Sequence, residues 1–152
     1  MKQWLMKSEP DVFSIDILEK KGSALWDGVR NYQARNFMMN DMKIGDEILF
    51  YHSSCEPPGV AGLAKVVGQA EPDPTQFDKK SEYYEPAATK EKPRWFCVKV
   101  GFVEKFSRLV SLEEIRGEKA LAKMLLLKRG QRLSIQPVSA KEYDCIRKMA
   151  SR

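Results

Sequence analysis

Read as apolar and polar positions, the chain divides into short runs. Gln3–Met6, Asp46–His52, Gly59–Gln69, Trp95–Phe106 and Arg132–Pro137 are rich in Val, Ile, Leu and aromatic residues and bounded by turn formers. These five runs predict strands of one mixed or antiparallel sheet. Helices are predicted to begin at Ser14 and Ser111, both good N-caps, and Glu114 three residues after Ser111 completes a capping-box pattern. Asn31–Asp41 is a third helical stretch, with Tyr32, Phe37 and Met38 at irregular spacing. Ala140–Met149 is a fourth; it follows Ser139 and carries Tyr143, Ile146 and Met149 at helical spacing. Glu71–Arg94 reads EPDPTQFDKKSEYYEPAATKEKPR, and its prolines 72, 74, 86 and 93 interrupt any ladder. It is predicted as one long connection, of a length more often functional than a short one. No βαβ alternation is visible, so the pattern predicts an α+β fold: a small, strongly bent sheet or pseudo-barrel with short helices at its ends.

Composition narrows this picture. With 152 residues, 43% of them hydrophobic, the chain suffices for one core and is short for two, so residues 1–152 are expected to form a single domain. The longest apolar runs, such as Ile48–Tyr51 and Met124–Leu127, fall far short of the roughly 20 residues that cross a bilayer. Met1–Pro10 holds neither a secretory apolar core nor a basic nuclear-type tail. A cytoplasmic location in a bacterium, or a nuclear one in a eukaryote, is the expectation. Cys55, Cys97 and Cys145 are odd in number with no C-x-x-C pair, and His52 is the sole histidine. Neither a disulfide framework nor a metal site is expected, and no cofactor. The net charge of +5, from 26 basic against 21 acidic residues, is a mild excess compatible with a polyanionic partner.

Several stretches carry candidate chemistry. WDGVRNYQAR, from Trp26, places Asp27, Arg30, Asn31 and Gln33 among two aromatic residues. It reads either as a helix entrance anchored by Trp26 and Tyr32 or as a wall for a planar, polar-edged ligand such as a nucleobase, where stacking gives affinity and edge hydrogen bonds give identity. LFYHSSC ends a strand, and alternation puts Tyr51 and Ser53 on one face and His52 on the other. His52 beside Cys55 also offers a base and a thiol, though no orienting acid or oxyanion hole is evident nearby. Lys7 and Ser8, in LMKSEP, read as a phosphate contact and a base-edge donor or as a solvated turn. Arg94 and Trp95 open a strand directly after the long connection, as cage wall or as core. Lys128, Arg129 and Arg132 around Gly130 are the densest basic cluster and candidate phosphate contacts.

Taken in order, WLMKSEPDVFSI, WDGVRNYQARNFM, GDEILFYHSSC, DPTQFD, PRWFCV and MLLLKRGQRLSIQPV resemble the EVE-domain family across nearly the whole chain. The resemblance implies the PUA-like fold shared with PUA, ASCH and YTH domains: a mostly antiparallel sheet closed into a pseudo-barrel with helices around it. It also implies a non-catalytic reader of a modified base, usually a modified cytosine, in DNA or RNA. Residue by residue, the implied pocket falls on Lys7, Ser8, Glu9, Trp26, Asp27, Arg30, Asn31, Tyr32, Tyr51, His52, Ser53, Arg94, Trp95, Ser134 and Gln136. Trp26 and Tyr51 are the expected stacking walls, and Ser8, Asn31 and Ser53 the expected edge hydrogen-bonders. A monomer is expected. Two other readings stand beside this one: an enzyme acting on a modified nucleotide through His52 with Cys55 or Glu9, and a protein-interaction module whose aromatic residues are simply core.

Overall fold

The runs Trp4–Met6 and Ile48–Tyr51 lack the polar alternation of a half-solvated strand, because they lie side by side in a sheet covered on both faces. The computed structural model describes all of residues 1–152. Its strands are β1 (Gln3–Ser8), β2 (Ser23–Leu25), β3 (Glu47–His52), β4 (Gly59–Pro72), β5 (Phe96–Ser111) and β6 (Ile135–Val138). They form one sheet in the order β2-β5-β4-β3-β1-β6. The pair β1 and β3 is parallel, and every other pair is antiparallel. The ladder is not closed on itself, since β2 and β6 remain as edges. The α+β class and mostly antiparallel sheet agree with the sequence reading, with β2 as an added strand.

The helices are α1 (Ile15–Lys21), α2 (Tyr32–Asn36), α3 (Leu112–Arg116) and α4 (Ala140–Ala150), with α2 running into one π turn, Phe37–Asp41. Their starts follow from local chemistry. Ser14 Oγ accepts from Ile17 N–H and Asn31 Oδ1 from Ala34 N–H, while Ser111 with Glu114 and Ser139 with Glu142 form capping boxes.

Two cores lie on the two sides of the sheet. Trp4, Met6, Ile48, Phe50, Val98 and Val100 pack with Ile15, Leu18 and Trp26. Leu5, Leu49, Tyr51, Val60 and Phe106 pack with Ile115, Tyr143 and Ile146 of α3 and α4. Because β1 and β3 run parallel, their C-terminal ends meet at one edge of the fold, where Ser8 is level with His52. Ser53 N–H donates to Ser8 O and Lys7 N–H to Ser134 O, so the segments after β1, after β3 and before β6 converge there. The predicted strand Arg132–Pro137 is shortened to β6: a turn at Lys128–Gln131 with Gly130 at φ +78° leaves Arg132 and Ser134 in the loop.

The long connection is tied down by one buried side chain. Gln76 Nε2 donates to Asp73 O and Trp95 O, and its Oε1 accepts from the backbone N–H groups of Arg94 and Trp95. Three of the four bonds join the two ends of the connection and the one to Asp73 O is local; together they satisfy backbone groups that an irregular segment otherwise leaves open.

Candidate functional site

The converging ends of β1, β3 and the β6 loop form one wall of a cavity of about 730 Å³. Lys7, Ser8, Glu9, Ser53, Arg132 and Ser134 line it on this side. Trp26, Asp27, Gly28, Val29 and Arg30 also line it, with Tyr83, which the long connection supplies; Val12, Phe13, Lys21, Ser23, Ala24 and Leu25 complete the surround. Trp26 is 7% exposed. It meets Phe13 and Phe50 edge-to-face at 5.9 and 5.5 Å between ring centroids, so it is a core residue and the back of the cavity together.

The chain turns sharply at Gly28, whose φ of +80° disfavours any side chain. Its N–H donates to Asp73 Oδ2 at 2.8 Å, and the Tyr83 ring covers its open face. Arg30 holds this arrangement. One guanidinium nitrogen donates to Val29 O and Asp73 Oδ2, and the other to Thr75 Oγ1 and Tyr83 O. The same group lies 5.3 Å from the Tyr83 ring centroid and 5.2 Å from that of Trp95.

The charged groups around the cavity differ in their surroundings. Burial pushes the Asp73 carboxyl up, but hydrogen bonds from Thr75, Gly28 and Arg30 outweigh it and hold the group below its ordinary 3.8. Asp27 is raised, first by burial and then by the charge of Asp73. Burial lowers the Lys7 ammonium. Arg30 is paired with Asp73, whereas Lys7, Lys21 and Arg132 form no ion pair.

Several residues named from the sequence lie elsewhere. Tyr51 points into the core on the other side of the sheet. The expected face-sharing of Tyr51 and Ser53 ends at an irregularity between Phe50 and Tyr51, and Ser53 lies beyond the strand. Asn31 spends its side-chain oxygen on the cap of α2. Tyr32 stacks on Trp95 at 4.8 Å and 22° between ring planes, with Arg35 over its ring, so these aromatic residues serve each other outside the cavity. Arg94 pairs with Glu85 at 3.5 Å. Gln136 is buried; Nε2 donates to Leu133 O and Oε1 has no partner. Lys128 and Arg129 are exposed beyond the cavity, which only Arg132 of that cluster reaches. The Ser8 hydroxyl, expected at a ligand edge, donates to Phe13 O at 2.6 Å.

His52 Nε2 accepts from Ile15 N–H at 3.2 Å, and Cys55 Sγ donates to Pro57 O. Neither is hydrogen-bonded to the other, and burial raises the Cys55 thiol further from its thiolate. No group of three or more His, Cys, Asp or Glu side chains is placed to hold a metal ion, and no helix is long and apolar enough to cross a membrane. Sequence reasoning missed Tyr83, Phe13 and Asp73. The available signal was the Tyr83-Tyr84 pair inside an otherwise charged connection.

A mixed six-stranded sheet flanked by short helices, with a cavity where its parallel pair ends, defines a PUA-like α+β protein. The chain belongs to the EVE-domain family, whose model matches residues 2–149. It is 45% identical over 162 residues to human thymocyte nuclear protein 1, an alignment covering 94% of this chain and 71% of that protein. A solved structure of a Leishmania major protein is 51% identical and superposes with a TM-score of 0.95, covering 99% of this chain and 95% of that one. The crystal structure of human THYN1 protein in complex with 5-methylcytosine-containing DNA is 42% identical, with a TM-score of 0.92 over 100% of this chain and 99% of that chain.

Proposed function

We propose that residues 1–152 form one DNA-binding domain that reads a modified base, 5-methylcytosine first among them, in the cavity between Lys7 and Trp26, and performs no chemistry on it. The observation that most directly supports this reading is that Asp27 lines the same cavity as the aromatic residues Trp26, Phe13 and Tyr83. The chain is also 42% identical to a human protein crystallised with 5-methylcytosine-containing DNA. Cytosine presents an amino donor at N4, and a carboxylate is its natural acceptor. Trp26, Phe13 and Tyr83 supply apolar and π surface for the ring and its methyl group. In this assignment Tyr83 takes the stacking role first given to Tyr51, and Asp27 takes the edge role first given to Asn31. Lys7, Ser8, Glu9, Arg30, Ser53 and Ser134 complete the surround.

The base enters unstacked, from a single strand or flipped out of a duplex. Extrusion costs a few kcal/mol, and stacking returns roughly 1–3 kcal/mol per base. Burying the methyl contributes about 0.8 kcal/mol, hence about fourfold preference over cytosine.

Fluorescence anisotropy with single-stranded oligonucleotides carrying cytosine or 5-methylcytosine tests this reading. The expected result is tighter binding of the methylated strand, weakened in Tyr83→Ala and Asp27→Asn. Equal binding of both strands, or binding indifferent to both substitutions, overturns it. Mass spectrometry of the recovered oligonucleotide tests the absence of chemistry, and a new product refutes that part.

A further inference from the structure

We propose that the free main-chain edge of β2 reads the base, with Leu25 N–H donating to N3 of 5-methylcytosine, and that this donor makes the cavity reject thymine. The inference rests on the base-reading function above and adds the group that tells the two 5-methylated pyrimidines of DNA apart.

Thymine carries the same 5-methyl group as 5-methylcytosine, so the apolar surface of Trp26, Phe13 and Tyr83 cannot separate them. Their edges can. 5-Methylcytosine presents an acceptor at N3 and an amino donor at N4, whereas thymine presents an N3–H donor and an O4 acceptor. Asp27 lines the cavity and, as a carboxylate, only accepts, so N3 needs a donor from elsewhere. Several candidates are already occupied: Arg30 by Asp73, Thr75 and Tyr83 O, the Ser8 hydroxyl by Phe13 O, and Gly28 N–H by Asp73. The hydroxyls of Ser23, Ser53 and Ser134 donate or accept as a ligand requires and do not discriminate.

The edge of β2 supplies a fixed donor. This strand is hydrogen-bonded in the sheet only to β5. Phe102 N–H donates to Gly22 O at 2.9 Å and Trp26 N–H to Val98 O at 2.8 Å. Antiparallel pairs alternate, so Gly22, Ala24 and Trp26 turn their main-chain groups toward β5, and Ser23 and Leu25 turn theirs away from it. No loop carbonyl takes the Leu25 N–H. A cavity over one face of a strand is lined by alternate residues. This one is lined by Ser23, Ala24 and Leu25 in succession, as a cavity along a strand edge is. Lys7 of β1 and Arg132 and Ser134 of the β6 loop line it too. The cavity therefore lies between the two ends at which the ladder stays open, and a ligand there meets main-chain groups that a further strand would otherwise take. A main-chain N–H held between two ladder bonds only donates. It fits N3 of 5-methylcytosine, whereas thymine leaves two donors facing each other.

The test uses short single-stranded oligonucleotides whose central base is 5-methylcytosine, thymine or 3-deaza-5-methylcytosine, in which C–H replaces N3. The unaltered protein is expected to bind the thymine strand at least about tenfold and the 3-deaza strand at least about fivefold more weakly than the 5-methylcytosine strand. In protein isotopically labelled at leucine nitrogen, the Leu25 amide proton resonance is expected to move downfield and its exchange to slow with the 5-methylcytosine strand, and not with the 3-deaza strand. Replacing Leu25 by leucic acid exchanges its N–H for an ester oxygen; this variant is expected to lose at least about fivefold in affinity and to show a 3-deaza penalty below about twofold. The resonance measurement needs no variant, so it reports even if the ester protein folds poorly. Binding of the thymine or 3-deaza strand as tight as that of the 5-methylcytosine strand, an unmoved Leu25 amide, or an ester protein with the full 3-deaza penalty overturns the edge reading while leaving base reading intact. Failure of every methylated oligonucleotide to bind overturns both.

Discussion

Gly28 and Tyr83 are packed so closely that a Cβ on Gly28 meets the Tyr83 ring at 2.8 Å. Gly28 sits at φ +80°, so a side chain there is strained as well as crowded. Gly28→Ala is therefore expected to lower stability by about 1 kcal/mol or more and to push Tyr83 from its place on the cavity wall. Thermal melts and oligonucleotide titrations on the same variant measure both effects. A variant with unchanged melting and unchanged affinity contradicts this account of the wall.

Asp73 is expected to be the costliest polar residue to remove. Its side chain is fully buried and serves Gly28, Arg30 and Thr75 together. Asp73→Ala leaves those donors unmatched and the Arg30 charge unpaired, a loss of about 3–5 kcal/mol, measured by urea unfolding. Its pKa is held below 3.8 in the folded protein, so its contribution is present above that value and is lost as pH falls through the folded pKa. Acid unfolding of the wild type in that low window, and a flatter profile in Asp73→Asn, are the expected results.

What was legible in the sequence was mostly local. Ser14, Ser111 and Ser139 announce their helices because each cap bonds three residues ahead. The three-residue β2 has too little pattern to be read, and its pairing partner lies far along the chain in β5. Tyr51 was expected in the cavity, but β3 is buried on both faces, so alternation says nothing about which face holds a ligand. Arg30 looked like a free donor because the groups that occupy it, Asp73 and Tyr83 O, lie 43 and 53 positions away. Tyr83 reaches the cavity only through tertiary structure, on a connection whose docking depends on Gln76 and Asp73.

Trp26 and Tyr83 are expected to separate stability from binding. Trp26 is braced edge-to-face by two phenylalanines in the core, and Trp26→Ala should cost about 3–5 kcal/mol. Tyr83 lies in the connection and is half-buried, so Tyr83→Ala should melt close to wild type and bind the methylated oligonucleotide more weakly. If Tyr83→Ala melts as low as Trp26→Ala, Tyr83 is a structural residue and the division fails.

His52 gives the fold a dependence on mildly acidic pH. Its Nε2 accepts from Ile15 N–H at the start of α1, which requires a neutral ring with the proton on Nδ1. Burial lowers its pKa from the ordinary 6.5, and the charge of Asp16 pulls less strongly the other way. In the unfolded chain the ring protonates near 6.5, while the folded protein resists. Stability is thus complete above 6.5 and declines as pH falls from there through the folded value. Melting temperatures about one unit above and one unit below 6.5 should differ in the wild type. His52→Gln retains an acceptor for Ile15 but does not titrate, so its melting temperature should change less across the same interval. An equal decline in both proteins would assign the effect to another group.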